Sequence, residues 1–313
     1  MDIINYVVKR ILHMIPVFLV VMVLIFALIR MIPGDPALAM LGERASQELL
    51  EAKRLAMGLD RSYPEQFWIY FKDLLHLDFG TSVRYKVPVT DLLFTRLGTT
   101  IALTISSTVF AVLLGFIPGY IAGMHKNRPI DQIIRALALL GLSIPPFWIG
   151  LVLLTIFAVN LGWVPVAGWG TTFLDHLKCL ILPGITQAFA VCAVLTRNLR
   201  NNVVDIRKSD YVDFARSKGI SDSLLSRNHI IRNALIPAVT LLSLRISVML
   251  GGSIVIETVF TLPGVGALLT NAIYARDYAV VQGCVLIMII LVMVVNLVTD
   301  IVYSLLDPRV KLQ

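Results

Sequence analysis

Charged residues are scarce in this sequence, and their scarcity excludes several classes of protein. Charged residues make up 15% of the 313 positions and apolar residues 57%, whereas a soluble domain carries about 25% charge. A water-soluble fold is therefore not expected. The net charge of +7 does not indicate a nucleic-acid-binding protein, because the basic residues lie between hydrophobic stretches and not on one soluble face with aromatic residues.

Residues that usually carry chemistry are sparse as well. The three cysteines, Cys179, Cys192 and Cys284, lie in or beside apolar stretches without the spacing of a disulfide framework or metal site. The sequence contains no Gly-x-x-x-x-Gly-Lys-Ser/Thr phosphate loop, and its apolar stretches lack the acidic and histidine residues of a proton relay. We therefore predict a non-catalytic chain without a metal or cofactor of its own.

Long apolar runs dominate what is present. A membrane-spanning helix needs about 20 mainly apolar residues, and six runs meet this length, at 11–32, 99–124, 133–161, 179–195, 235–256 and 280–305. The first run follows Lys9 and Arg10, as in a secretory signal, but it is too long for the apolar core of such a signal and lacks a clear cleavage site. We predict an all-α polytopic membrane protein with six spans, the first of them a retained anchor.

The distribution of positive charge predicts the orientation of these spans. Short cytoplasmic loops retain Lys and Arg during insertion, and the segments on one side of the bilayer hold fifteen such residues, whereas the two short loops on the other side hold only Lys178 and Arg276. The fifteen are Lys9, Arg10, Lys126, Arg128, Arg135, Arg197, Arg200, Arg207, Lys208, Arg216, Lys218, Arg227, Arg232, Arg309 and Lys311. Both termini are therefore predicted to be cytoplasmic.

The segment 33–98 is predicted to form a small extracytoplasmic cap. Ser46 is placed to cap a helix that Gly58 ends, and Pro64 suits the first turn of a second helix. That second helix carries several aromatic residues, including Trp68 and Phe71. Two interpretations remain open: a docking surface for an extracytoplasmic partner through Trp68 and Phe71, or a structural lid over the bundle.

Two features inside the spans predict packing and bending. Gly115, Gly119 and Gly123 recur at every fourth position, so one face of the second span allows close approach of another helix. In the third span, Pro145 and Pro146 remove two backbone donors and should kink or break the helix. The break either lines a transport path or is a purely structural kink.

An arginine in the fifth span needs a partner or water. Arg245 lies near the middle of that apolar run, where insertion costs roughly 2.5–3.5 kcal/mol. Asp300 in the sixth span lies within reach of its long side chain if the two depths are counted at about 1.5 Å per residue. We predict a buried pair of Arg245 and Asp300; the alternative is an Arg245 that lines a hydrated cavity.

The largest predicted cytoplasmic loop, 197–234, contains two candidate helices. Asp210 or Ser209 can cap a short helix that Gly219 ends, and a second helix is predicted from Asp222 to Asn233, ending before Pro237. From the residues alone, this loop is an amphipathic connector.

Motifs along nearly the whole chain resemble the oligopeptide, dipeptide and nickel branch of the ATP-driven (ABC) importer permeases. The loop resembles the coupling motif with which such permeases engage their ATPase subunits, with Phe214 where alanine is usual. The other matching stretches are Val8-Lys9-Arg10, Gly34-Asp35-Pro36-Ala37, Gly58-Leu59-Asp60, Leu77-Asp78-Phe79-Gly80, Pro146-Phe147-Trp148, Arg232-Asn233-Ala234, Gly251-Gly252-Ser253 leading to Glu257, Leu262-Pro263-Gly264-Val265-Gly266, Arg276-Asp277-Tyr278 and Asp307-Pro308-Arg309.

The resemblance implies a permease subunit of the bacterial or archaeal cell membrane, with the division of labour that this branch shows. It implies a homologous second permease as partner, two ATP-binding subunits that hold ATP and Mg²⁺, and a solute-binding protein outside, either periplasmic or lipid-anchored. In the coupling loop Ala215 is expected to face a groove of the ATPase subunit. The residues that the resemblance assigns to ATPase coupling are Asp210, Tyr211, Asp213, Phe214, Ala215, Arg216, Lys218 and Gly219.

The predicted organisation has four parts: a first span within 1–32, the outer segment 33–98, a five-span core at 99–305 and a cytoplasmic tail at 306–313. The rival function is a secondary transporter driven by an ion gradient, which normally shows inverted repeats and broken helices in both halves. This sequence predicts only one broken span. The solute stays open among peptides, nickel or a nickel chelate, and glutathione, because selection in this branch rests largely with the binding protein.

Overall fold

A computed structural model describes the backbone of residues 3–31, 36–41, 45–56 and 58–306. Over these ranges the chain is helical, apart from turns and one antiparallel bridge between Thr81 and Pro88. The helices are α1 (Ile3–Met31), α2 (Pro36–Leu41), α3 (Gln47–Ala56), α4 (Tyr63–Leu75), α5 (Val89–Met124), α6 (Pro129–Ser143), α7 (Pro146–Leu153), α8 (Phe173–Ile206), α9 (Asp210–Ser217), α10 (Asp222–Leu225), α11 (Arg232–Val259), α12 (Val265–Tyr274) and α13 (Tyr278–Leu306). Two π-helical stretches, Leu154–Asn160 and Ser226–Ile231, extend α7 and join α10 to α11.

The predicted all-α membrane fold is confirmed. Among the residues that the structure describes, five helices are long and apolar enough to cross a bilayer, and α6 together with α7 and its π-helical extension forms a sixth candidate, a bent pair. Several of the observed helices extend beyond the apolar runs. For example, α8 covers Phe173–Ile206, whereas the predicted span was 179–195, because a helix continues past the hydrocarbon core wherever its backbone bonds can continue.

The predicted break at Pro145 and Pro146 is confirmed. Helix α6 ends at Ser143, α7 starts at Pro146 as its first residue, and the two axes differ by 105°. Proline fixes its own φ and disfavours helical geometry in the residue before it, which explains the extended backbone of Ile144 and Pro145. The third apolar run is therefore a broken span.

The glycine face of α5 packs directly against α8, as predicted. A Cβ atom added to Gly119 would lie 2.8 Å from the Thr196 carbonyl oxygen, and one added to Gly123 would lie 2.6 Å from Val203. Small residues let two membrane helices approach at backbone distance. Helices α5 and α8 therefore form the centre of the bundle, and α11 packs on both.

Helices α3 and α4 form as predicted. The Ser46 hydroxyl accepts a hydrogen bond from the Leu49 amide, and Gly58, with φ +63°, follows the end of α3. Pro64 occupies the first turn of α4. Along α4, Phe67, Tyr70, Phe71 and Leu74 pack onto a cluster formed by Met22 and Ile25 of α1 and Leu286 of α13. The inner face of α4 thus covers the chain's own spans.

Candidate functional site

The predicted coupling helix is present as α9 and ends in a defined turn. Ser209 stands at the N-cap position and Gly219, with φ +79°, follows the C-cap. The Gly219 amide donates to the Arg216 carbonyl at 3.0 Å, and the Ile220 amide donates to the Ala215 carbonyl at 3.4 Å. This is the Schellman arrangement, which favours glycine at the left-handed position.

The orientation of α9 corrects one prediction. Val212 and Ala215 are buried against Leu225 of α10 in a small apolar cluster of the loop. Ala215 therefore faces its own chain and not an external groove. The outward face instead presents Tyr211, 45% exposed, and Phe214, 60% exposed. Sequence alone placed the motif but not the rotation of the helix, which the apolar contacts of a two-turn helix decide.

The charged residues of the loop make local contacts. The Arg216 guanidinium lies 3.5 Å from Asp213 and 3.8 Å from Asp222, which joins α9 to α10. The Lys218 ammonium lies over the Phe214 ring at 4.5 Å from its centroid. Asp210 is exposed at the start of α9. These exposed contacts are weak individually, so they leave the outward face available.

The second loop helix differs from the prediction, because it does not end before Pro237. Helix α10, the π-helical stretch and α11 form one continuous helix, Asp222–Val259. Pro237 lies inside it. A proline removes a single backbone hydrogen bond, and long membrane helices tolerate this loss where neighbours and local π adjustments supply other partners. The loop is thus connected rigidly to the fifth span.

The predicted ion pair of Arg245 and Asp300 is wrong. Asp300 pairs with Arg10 of α1 at 3.0 Å, while α11 meets α13 through a hydrogen bond from Ser247 to Asn296 at 2.6 Å. Matching depth fixes only height along the helices. Arg10 reaches that height on the side of α13 that faces α1. Its side chain stays 44% exposed, so its charge loses less hydration than the charge of a buried arginine would.

Arg245 itself lies beside an uncovered face of α11. The side chain is half-buried and has no ion-pair partner within the described part of the chain. On that face, Leu244 and Val248 are 61% and 62% exposed, and a Cβ atom added to Gly251 or Gly252 would meet nothing within 4 Å. Within the ranges that the structure describes, no other part of the chain therefore covers that side of the fifth span.

A buried carboxylate organises the opposite end of α11. Glu257 is fully buried and accepts hydrogen bonds from the Thr100 hydroxyl at 2.7 Å and the Ala267 amide at 2.9 Å. Thr100 in turn accepts from the Val265 amide at 2.9 Å. A Cβ atom on Gly264 would lie 2.2 Å from the Glu257 carboxyl carbon. The part of the resemblance that runs from Glu257 to Gly266 is thus one structural unit.

A second buried carboxylate acts in the same way nearby. Asp277 is 1% exposed, and its Oδ2 accepts from the Ser82 hydroxyl at 2.6 Å and the Arg84 amide at 3.1 Å. These bonds join the turn between α12 and α13 to the turn that precedes α5. This role was not predicted from the sequence, although Asp277 was part of a matching stretch.

A third buried carboxylate, Asp131, also escaped the sequence analysis. It lies in the first turn of α6, is fully buried, and receives two hydrogen bonds from Arg200 of α8, at 3.1 and 2.7 Å. The Asn127 amide donates to the same carboxylate at 2.8 Å. The available signal was an acidic residue just before the apolar run 133–161 in a chain whose loops are rich in arginine, but the count of positive charge assigned Arg200 to topology alone.

The two aromatic residues proposed to contact a binding protein separate in the structure. Trp68 is 55% exposed, whereas Phe71 is half-buried in the cluster on α1 and α13. Their rings stack with centroids 5.6 Å apart. The lid interpretation therefore describes the inner face of α4, and only Trp68 is displayed outward. Within the described ranges, no group of three or more His, Cys, Asp or Glu side chains is placed to hold a metal ion.

Known protein families and relatives match nearly the whole chain. Residues 111–312 match the family described as binding-protein-dependent transport system inner membrane component, and residues 3–104 match its N-terminal domain. The glutathione transport system permease protein GsiC of Pectobacterium atrosepticum is 40% identical over 98% of this chain and 99% of its own length. The protein of that name from Escherichia coli K12 is 39% identical over the same shares.

Solved structures show the same fold. An inward-facing structure of the MetNI methionine ABC transporter has a TM-score of 0.58 at 17% identity and covers 69% of this chain and 96% of its own. An amino acid ABC transporter has a TM-score of 0.51 at 18% identity, covering 71% and 95%. At these identities, only the fold is compared.

The spans, the broken helix and the capped loop define a polytopic membrane subunit of a transporter. The chain belongs to the family of binding-protein-dependent transport system inner membrane components. It is the permease subunit of an ABC importer of the peptide and nickel branch, as predicted, and the ion-driven secondary transporter is not supported. The family also establishes a multi-pass protein of the inner membrane.

Proposed function

We propose that this permease forms half of a path for glutathione or a similar small peptide, with a homologous second permease forming the other half. The near-complete match to glutathione permeases, at 39–40% identity over 98% of the chain, carries the choice of solute.

The outward face of α9 is proposed to contact an ATP-binding subunit through Tyr211 and Phe214. Both rings are exposed on a helix whose other face is held by its own chain, and exposed aromatic residues on a fixed scaffold are typical interface anchors. Two such subunits, one per permease, hold ATP and Mg²⁺. Asp210 and Lys218 flank the contact, and this chain itself remains non-catalytic.

The continuous helix Asp222–Val259 supports a mechanism for coupling. Closure of the ATPase pair would move α9 and α10, and a rigid helix of roughly 57 Å transmits that displacement to Glu257 near its other end. The bundle then has two packings, one open to each side of the membrane, and the nucleotide state decides which of them is populated. This chain supplies half of the transport path and the long helix that transmits the motion.

The remaining partners are assigned by surfaces that this chain leaves uncovered. The face of α11 with Leu244, Val248, Gly251 and Gly252 is proposed to contact the second permease, with Arg245 at the margin of the shared path. Pro145 and Pro146 place α7 beside the bundle with Trp148 exposed, where the broken span can line the path. Trp68 on the outer helix α4 is proposed to contact the solute-binding protein.

The orientation proposed for the membrane puts both termini and α9 in the cytoplasm. Its support is the surplus of positive charge on that side, including the loop from Arg197 to Arg232. The outer helices then face the periplasm or cell exterior. Labelling of a single cysteine introduced at Lys218 or at Trp68, in sealed vesicles of known orientation, tests the two sides.

The decisive experiment measures solute uptake and ATPase recruitment in the same preparation. Proteoliposomes with the second permease, the ATPase subunits and the binding protein should take up glutathione with ATP when ion gradients are collapsed. The variant Tyr211→Ser/Phe214→Ser should lower the amount of ATPase subunit bound by roughly 30-fold, with the bundle still assembled.

The matched control is Leu224→Ser, which changes an exposed apolar residue of α10 away from the outward face of α9. Uptake that requires an ion gradient and not ATP would refute the importer mechanism for this chain. Unchanged recruitment in the double variant would refute the assigned contact and leave the transport proposal standing.

A further inference from the structure

A strongly basic cavity lies where three helices end. Its volume is about 330 Å³, it is open to the surface, and it is lined by the end of α5, the turn that follows, the end of α8, and α9. No acidic side chain is among the residues that line it. The basic residues of the lining are His125, Lys126, Arg128, Arg207, Lys208 and Arg216.

Two of these side chains are fixed by backbone oxygen atoms. The Arg207 Nη1 atom donates to the carbonyl oxygen atoms of Met124 and Gly123, the latter at 3.4 Å. His125 Nδ1 lies 2.9 Å from the Ile121 carbonyl oxygen, so this nitrogen is the donor and Nε2 is left unbonded. The cavity wall is therefore organised before any ligand binds.

Two lysines, Lys126 and Lys208, line the cavity together. The presence of Lys208 lowers the pKa of Lys126, and the opposite influence of Asp205 is weaker. Like charges in one cavity repel each other. A shared anion removes this repulsion and receives charge-assisted hydrogen bonds from both.

The height of the cavity matches the headgroup layer of a bilayer. The apolar stretch 99–124 of α5 extends about 39 Å at 1.5 Å per residue, compared with about 30 Å for the hydrocarbon core and about 40–45 Å with headgroups. The residues that follow Met124 therefore lie at lipid phosphate level. Basic pockets between membrane helices at this level recognise anionic headgroups.

We propose that this cavity binds a phosphate group, supplied by an anionic phospholipid and held between Lys126, Lys208 and Arg207. Because Arg216 of α9 lines the same cavity, the bound headgroup would connect the coupling helix to the ends of α5 and α8. This inference rests on the proposed function in one respect, the placement of the cavity on the cytoplasmic side of the membrane. Lipid binding is measured without transport, so the two proposals can fail separately.

The test measures retained lipid on the full chain in its assembled transporter. Complexes are reconstituted in nanodiscs of phosphatidylcholine, with or without phosphatidylglycerol, then extracted, and their lipids are counted by native mass spectrometry. We expect retained phosphatidylglycerol in the unmodified complex and about tenfold less in Lys126→Gln/Lys208→Gln. The charge-preserving variant Lys126→Arg/Lys208→Arg should retain it.

A matched control removes the same charge beside the cavity. Arg227→Gln/Arg232→Gln changes two exposed basic residues of the same loop that do not line the cavity, and it should retain lipid normally. Equal retention in the Gln variant and this control overturns the proposal. Displacement of the lipid by inorganic phosphate, with phosphate bound at the cavity, would keep the phosphate site and overturn a lipid as its source.

Discussion

The two ends of the bundle are built by opposite means. At one end, which we call the Glu257 end, buried carboxylates of Glu257 and Asp277 receive hydrogen bonds from Thr100, Ser82 and nearby backbone amides of this same chain. At the other, the loop end, α9 and the basic cavity present exposed rings and positive charges. The difference teaches that one end is completed by the chain itself, whereas the other needs partners for its completion.

Removal of the Glu257 carboxylate should have the largest effect on stability, because it disrupts the end that the chain itself completes. Glu257→Ala leaves the Thr100 hydroxyl and the Ala267 amide buried without an acceptor, at about 1–3 kcal/mol for each such group. We expect a total loss near 3 kcal/mol, measured as a lower thermal midpoint of the purified permease pair. Thr258→Ala, on the neighbouring exposed position, should change stability by less than about 0.5 kcal/mol. Equal midpoints for both variants would contradict the closed Glu257 end.

A charge buried in the apolar cluster of the loop tests the stability of the other end, the loop end. Ala215→Glu buries a carboxylate against Val212 and Leu225, which we expect to destabilise the loop by about 2 kcal/mol. Because the buried residues of this loop cluster are separate from the clusters of the bundle, the loop should become sensitive to protease while the thermal midpoint of the bundle stays the same.

The exposed neighbour provides the control for that loop variant. Phe214→Ser should lower ATPase recruitment without any gain in protease sensitivity, because Phe214 is 60% exposed. If Ala215→Glu lowered recruitment with the loop fully protected, Ala215 would face the partner after all.

The turn after α9 should show a smaller effect. At φ +79°, a β-branched residue is strained by about 1–2 kcal/mol, so Gly219→Val should increase hydrogen exchange in the loop. Gly219→Asn tolerates the left-handed region better and should stay near the unmodified rate. Identical exchange in both variants would show that the turn has another geometry in the assembled transporter.

The smallest expected effect concerns the pair of α1 and α13. Arg10 and Asp300 are 44% and 23% exposed, so a double-mutant cycle with alanine should give a coupling of roughly 0.5–1 kcal/mol. The corresponding cycle of Arg245 and Asp300 should be additive to within about 0.5 kcal/mol. A larger coupling for the second cycle would restore the pairing predicted from depth.

The fold was accessible from the sequence wherever one-dimensional patterns are sufficient. Apolar length located the spans, the Pro145-Pro146 pair located the break, and the spacing of Gly115, Gly119 and Gly123 predicted the closest helix contact. Cap residues likewise predicted α3, α4 and α9. Each of these signals depends on backbone chemistry within a few residues.

The geometry of the site depends on how each helix is rotated about its axis and on which helices pack beside it, and no pattern along the sequence gives this information. Depth counting paired Arg245 with Asp300 because it ignored α1, which the structure packs along α13. The direction of Ala215 followed from a contact with Leu225, in a different helix. Asp131 and Arg200 are 69 residues apart, and only the tertiary fold identifies them as partners.

The separation of Asp131 and Arg200 has a consequence for biosynthesis. Asp131 opens α6 and ends fully buried, yet its counter-charge is 69 residues further along the chain. At about 5–20 residues per second, roughly 3–14 s pass between their syntheses. During that interval Arg200 is not available to the Asp131 carboxylate, and of its hydrogen-bond donors only the nearby Asn127 amide has been made. The packing of α6 against α8 is therefore completed late, only after α8 has been synthesised.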